Sequence, residues 1–169
     1  MRFAMNRALP FFVLGILIAQ AGLCHEHEQG KSDHATATHA TEFGSAGNAK
    51  DVTRVVELSL RDTMRIEPNQ LTVQQGETLR LRIRNTGAVA HEFVLGTQKE
   101  IIEHRDMMRT MPTMMHDDAN AVSVAPGQTA DLIWRFSRTG KFLYACLVPG
   151  HWEAGMQGTV TVSAATKPR

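Results

Sequence analysis

Four residues of this 169-residue chain have types and spacings that can do chemistry together. Cys146, His151 and Met156 follow one another as Cys-x4-His-x4-Met, inside the run from Tyr144 to Met156. His91 stands upstream, in Ala90-His91-Glu92-Phe93-Val94-Leu95. One thiolate and two imidazoles in a plane, with a weak axial thioether, hold a copper ion that cycles between Cu(I) and Cu(II). Zinc prefers several cysteines or firm His, Asp and Glu ligands, so this set favours copper. A binuclear copper centre would need a second cysteine in the loop, and residues 147–155 contain none. In this reading Cys146 binds as thiolate, His91 and His151 bind as neutral imidazoles, and Met156 is the long axial ligand. Phe93, Leu147, Val148, Pro149 and Trp152 would restrict water and tune the potential. Such a site has no good open position, which suits electron transfer and argues against an enzyme.

Two further groups of soft or nitrogenous side chains lie outside this set. His25, His27, His34 and His39 crowd into a polar segment beside Cys24, Glu26, Glu28 and Asp33. Histidine-rich tracts in flexible segments can bind metal, although a solvated linker with incidental histidines has the same composition. The run from His104 to His116 holds five of the nine methionines, namely Met107, Met108, Met111, Met114 and Met115. Thioethers favour Cu(I), which makes this run and its flanking His104 and His116 a candidate secondary copper site. Met107, Met108 and Met111 also fit helical spacing, as methionines packed on a core as adaptable filler would.

The chain's N-terminus reads as an export signal. Arg2 and Arg7 precede the apolar run Ala8–Ala19, and Ala19-Gln20-Ala21 has the form of a cleavage site. The apolar run is too short for a comfortable transmembrane helix. Lipoprotein processing at Cys24 is disfavoured by the large Leu23 before it. Removing residues 1–21 takes away two arginines and no acid, so the remaining chain stays close to neutral. That balance gives no reason to expect a nucleic-acid partner. Cys24 and Cys146 are the only cysteines, too few for a disulfide framework. A Cys24–Cys146 disulfide or a buried structural thiol is the alternative to a metal-bound Cys146.

The scaffold that must position these ligands reads as strands from Asp51 onward. Val56, Leu58 and Leu60 alternate with polar residues, and Leu79, Leu81 and Ile83 alternate with Arg80, Arg82 and Arg84. Met64 and Ile66 continue the first of these runs, and Leu71 and Val73 follow after a turn at Pro68-Asn69; further strands are expected at Ala90–Leu95, Ala121–Val124, Leu132–Phe136, Lys141–Cys146 and Gln157–Val162, separated by Gly, Pro and Asn turns. A short helix fits within Thr97–Arg109, with Pro112 interrupting it. Seven or eight short strands over a span of this size predict an all-β Greek-key sandwich. The expected organisation is a signal peptide at 1–21, a flexible His-rich tail at 22–50, a β-domain at 51–163 and a short tail at 164–169.

The ligand loop, the upstream histidine strand, Val124-Ala125-Pro126-Gly127 and Gly140-Lys141-Phe142-Leu143-Tyr144 together resemble the cupredoxins, the small blue copper proteins. The spacing from Cys146 to Met156 is similar to that of auracyanin and rusticyanin; plastocyanin has a shorter gap between its cysteine and histidine. The resemblance covers about residues 51–163. It implies one type 1 copper per chain in a two-sheet Greek-key fold. The methionine-rich insert resembles those of exported copper-tolerance proteins. Glu92 departs from the Asn or Asp that many relatives carry after the first histidine. The expectation is therefore a monomeric periplasmic one-electron carrier in copper tolerance, exchanging electrons or copper with an exported protein partner. The alternative is a copper chaperone or sequestration protein holding several ions.

Overall fold

The computed structural model describes residues 41–111 and 118–166. Among them ten strands and one α-helix form two sheets. The strands are β1 (Gly44–Ala46), β2 (Arg54–Arg61), β3 (Arg65–Glu67), β4 (Gln70–Gln74), β5 (Thr78–Asn85), β6 (His91–Gly96), β7 (Ala121–Val124), β8 (Thr129–Phe136), β9 (Gly140–Ala145) and β10 (Gln157–Ser163). One sheet runs β1-β8-β5-β2-β3 and the other β4-β10-β9-β6-β7. The β2/β5 and β4/β10 pairs are parallel and the remaining pairs antiparallel.

The alternation seen in the sequence decides which side of each strand faces inward. Leu79, Leu81 and Ile83 of β5 are fully buried, with Leu58 and Leu60 of β2 beside them and Leu132, Trp134 and Phe136 of β8 on the other flank. The second sheet contributes Phe93, Leu95, Phe142, Tyr144, Val160 and Val162 to the same core. Arg80, Arg82 and Arg84 point to solvent, where Arg80 and Arg82 both pair with Asp131. β6 departs from alternation: all six of its residues are buried. The helix α1 (Gln98–Thr110) covers its outer side, so this strand has two buried faces.

The helix is set by its ends and one apolar contact. Thr97 caps it through a reciprocal box: the Glu100 N–H donates to Thr97 Oγ1, and the Thr97 N–H donates to Glu100 Oε2. It stops two residues before Pro112, whose ring disfavours helix in the residue before it. Ile101 is fully buried against Val94, Ala145 and Leu147, with Met108 and Trp152 at the margin.

Two expectations need correction. The tail was expected to run to residue 50. Instead, Phe43 is completely buried, stacked on Phe142 and tilted against Trp134, and β1 adds an edge strand to β8. One phenylalanine among small polar residues gives no periodic pattern, yet its burial alone is worth about 1.5–3 kcal/mol. The described residues form ten strands rather than seven or eight, because β1 lies within the expected tail and the turn at Asp62-Thr63-Met64 divides β2 from β3.

Gly158 on β10 leaves room for the Tyr144 ring, and a Cβ there would overlap it. Tyr144 is fully buried, with its hydroxyl donating to Pro68 O at 2.6 Å. Gly158→Ala is expected to lower unfolding free energy by about 1–3 kcal/mol through overpacking, measured by chemical denaturation.

Candidate metal centre

The site is built where β6 begins and β9 ends. The two strands are paired, with Val94 opposite Ala145 and Leu95 opposite Tyr144. That register brings Cys146, the first residue past β9, close to the start of β6. The Glu92 N–H donates to Cys146 Sγ at 3.3 Å, and His91 is the residue before it. The loop then turns back on itself. The His151 N–H donates to Val148 O at 3.0 Å, the Met156 N–H to His151 O at 3.0 Å and the Cys146 N–H to Met156 O at 3.0 Å. Gly150 and Gly155 take φ values of 88° and 97°, a region that favours glycine, which is why the loop can close this tightly.

These constraints make three ligand atoms converge. His91 Nδ1 and His151 Nδ1 are 3.2 Å apart. Cys146 Sγ lies 3.3 Å from His151 Nδ1 and 3.9 Å from His91 Nδ1. Among the described residues this is the one group of three His, Cys, Asp or Glu side chains close enough to hold a metal together. His91 and Cys146 are buried and His151 half-buried. Met156 is fully buried in the core cluster that contains Cys146. Cys146 is a buried free thiol among the described residues, and Cys24, the other half of the disulfide alternative, lies outside them.

The electrostatics fit a metal better than an empty polar pocket. Burial pushes the Cys146 thiol up to about 11, against the pull of the Glu92 and Val148 backbone N–H groups. A sulfur with two N–H groups aimed at it is prepared for the thiolate form, which a cation would supply the charge to hold. Burial, and then the neighbouring His91, hold His151 below its ordinary value, so it offers a lone pair. A soft thiolate with two imidazoles in reach, and a buried methionine bonded into the same loop, is a donor set suited to copper.

Some expected neighbours lie where the sequence placed them. Phe93 and Leu147 are buried, while Val148 and Trp152 are half-buried and Pro149 is exposed. Trp152 is held from both sides: its Nε1 donates to Gln157 Oε1 at 2.6 Å, and the Arg105 guanidinium lies 4.7 Å from its ring centre. The loop is thereby tied to α1 by a contact between residues 47 positions apart that no local pattern announces.

The secondary candidates divide. Met107 and Met108 are half-buried on α1, with Met108 packed on the Ile101 cluster as filler. Met111 follows the helix and is 43% exposed. The His104 side chain lies between two carboxylates, Nε2 at 3.8 Å from Glu92 Oε1 and Nδ1 at 3.7 Å from Asp118 Oδ2. Met114, Met115 and His116, like Cys24, His25, His27, His34 and His39, lie outside the described residues.

Sequence reasoning missed Asp62 and Arg65. Asp62 Oδ1 lies 3.0 Å from His91 Nε2. Arg65 Nη1 donates to Met64 O at 2.8 Å and to Ala154 O at 3.0 Å, joining the β2–β3 turn to the ligand loop. Neither carries a spacing signal, because each reaches the site across the sandwich rather than along the chain.

With this geometry in view, the similarity to known proteins is specific. Residues 52–163 match the family of copper binding proteins described as plastocyanin/azurin. The chain belongs to that family. It is 42% identical over 144 residues to the copper-resistant cuproprotein CopI of Rubrivivax gelatinosus, covering 85% of this chain and 87% of that one. It is 34% identical to the copper-resistant cuproprotein CopI of Vibrio cholerae over 143 residues, 78% and 85% of the two chains. The crystal structure of dithionite-reduced auracyanin from Roseiflexus castenholzii superposes with a TM-score of 0.57 at 20% identity. That match covers 66% of this chain and 97% of auracyanin, and it supports the cupredoxin sandwich fold. Copper is accordingly the cofactor this chain is built for.

Glu92 gives the site a pH-dependent cost. Burial first, and then Asp118, raise its carboxyl from the ordinary 4.5 to about 7, while the Leu147 N–H pulls the other way. A carboxyl raised on folding stabilises the fold fully below its ordinary value, and that contribution is lost as pH rises through 7. Metal-free protein should therefore lose up to about 3 kcal/mol between pH 4.5 and 7 from this group. Denaturant titrations across that window should show the loss in the parent and a flatter profile in Glu92→Gln.

Proposed function

We propose that this chain is an exported protein of copper resistance that holds one type 1 copper and carries one electron at a time. The observation that carries the reading is the convergence of His91 Nδ1, His151 Nδ1 and Cys146 Sγ within 3.2–3.9 Å of one another. His91, Cys146 and His151 would hold the ion, with the buried Met156 thioether as a fourth, weaker ligand. Copper bound there supplies a one-electron couple between Cu(I) and Cu(II). The chain's part is to hold both imidazoles with Nδ1 inward, to receive the thiolate between two N–H donors, and to keep water out with Phe93 and Leu147. His151 is the half-exposed ligand, so it is the edge through which an electron would leave. Four protein ligands leave no position for a substrate, which makes the chain a carrier or binder rather than an enzyme. The N-terminal pattern around Arg2, Arg7 and Ala19-Gln20-Ala21 supports export to the periplasm.

A second reading adds copper storage or delivery. It is favoured by His104, Met107, Met108 and Met111 on or just after one helix, and by four histidines in the sequence before residue 40. It also draws on the two CopI relatives, which are named for copper resistance.

One copper titration tests both readings. Cu(II) added to the full chain should raise an intense visible thiolate band that saturates at one equivalent and vanishes in Cys146→Ala. A colourless complex would contradict the carrier. Copper bound beyond that equivalent, and lost when His25, His27, His34 and His39 become alanine, identifies the storage role. An unchanged total removes the tail from it.

A further inference from the structure

The β2–β3 turn does more than join two strands. Asp62 opens it, and Met64 closes it with a φ of 58°, unusual outside glycine. The turn is held by the Met64 N–H donating to Arg61 O at 2.9 Å and by Met64 packing on the core. In this position the Asp62 carboxylate faces the loop that precedes His91. Its Oδ2 accepts the Ala88 N–H at 2.6 Å, and its Oδ1 sits 3.0 Å from His91 Nε2. The His91 side chain has no solvent exposure, whereas that of Asp62 is 40% exposed.

Two consequences follow from elementary chemistry. A carboxylate only accepts, so His91 Nε2 must carry the hydrogen, and the neutral ring then presents a bare Nδ1. That Nδ1 is the atom 3.2 Å from His151 Nδ1 and 3.9 Å from Cys146 Sγ. A full negative charge also sits one imidazole away from the place where the ligand atoms converge. Such a charge favours the more positive of two oxidation states. Carboxylates that orient a ligating histidine in this way raise its basicity, and their loss typically costs 10–100-fold in affinity or activity.

A second observation comes from Gly87. A Cβ at this position would overlap Asp62 Oδ1 and lie 2.9 Å from Oδ2. Gly87 has no left-handed φ that would otherwise call for glycine. The absent side chain makes room for the carboxylate. Asn85 shapes the same loop: its Nδ2 donates to Val89 O and Val124 O, and its Oδ1 accepts the Gly87 N–H at 2.9 Å. A buried asparagine, a glycine with no Cβ and a strained turn all converge on one carboxylate–imidazole contact.

We propose that Asp62 is a positioning residue of the copper centre, which fixes His91 with Nδ1 toward the metal and biases the bound copper toward Cu(II), and that Gly87 exists to admit it. The proposal rests on the type 1 reading for its redox half and on the Asp62–His91 contact alone for its tautomer half.

The test uses the full chain with Asp62→Asn and Gly87→Ala. Asparagine removes the charge at a half-exposed position but leaves one acceptor oxygen for the His91 Nε2 and Ala88 N–H groups, so a thermal melt of each variant is recorded beside its potential to check folding. At a fixed solution potential, the Cu(I)/Cu(II) ratio should rise about 10-fold in Asp62→Asn, a midpoint shift of about 59 mV for a one-electron couple. The visible thiolate band should remain. Gly87→Ala, with Asp62 chemically intact but displaced, should shift the ratio in the same direction. In metal-free parent protein, nitrogen-resolved NMR should find the His91 hydrogen on Nε2, and Gly87→Ala should give a mixture of tautomers. A purely structural role would lower thermal stability and leave the ratio where it was. A ratio within about twofold of the parent in Asp62→Asn, or a parental His91 with its hydrogen on Nδ1, overturns the proposal. If the parent shows no thiolate band at all, the type 1 reading fails, and the tautomer measurement still decides whether Asp62 fixes His91.

Discussion

The structure depends on the pairing of β6 with β9. Their register, Val94 opposite Ala145 and Leu95 opposite Tyr144, puts the backbone N–H of Glu92 at 3.3 Å from the Cys146 sulfur. Because His91 precedes Glu92, the same register delivers an imidazole and a thiol to one place. A one-residue slip would turn every side chain of β6 to the other face and take His91 away from the sulfur. Much of the surrounding fold can be read as what prevents that slip. β6 is buried on both faces, by the core on one side and by α1 on the other. Tyr144, two residues before the cysteine, is held by stacking on Phe93 and by its bond to Pro68.

The loop from Cys146 to Met156 is then almost fully determined by its own backbone bonds and by three outside ties. Arg65 holds Ala154, Arg105 lies over Trp152, and Gln157 accepts from Trp152. These contacts come from different elements, so the proposed ligands are fixed by the assembled sandwich rather than by local preference. A metal site organised this way pays its ordering cost during folding, before any ion arrives.

What was legible in the sequence is the part written as a local pattern. The period-two alternation in Leu79, Leu81 and Ile83 gave the core face of β5, and Cys-x4-His-x4-Met gave three of the proposed ligands because they share one loop. The capped helix from Gln98 was legible in position, from Thr97 and Pro112. Illegible were the contacts made across the fold. Asp62 and His91 are separated by 29 residues, and Arg65 and Ala154 by 89, with no motif connecting them. Phe43 was invisible for a related reason: a single large side chain in a stretch of small polar residues has no period, and only its partners Phe142 and Trp134 reveal that it belongs to the domain. The methionine-rich run was ambiguous in the sequence, and within the described residues Met108 is packed while Met111 is exposed.

The central claim is that His91, Cys146, His151 and Met156 surround a single copper ion. X-ray absorption on protein loaded with one equivalent of copper tests it most directly, because the fine structure reports the atoms around the metal. The account requires two nitrogen scatterers and one short sulfur, with the second sulfur at a longer distance. A copper surrounded only by nitrogen and oxygen, or by sulfurs of equal distance, would contradict it.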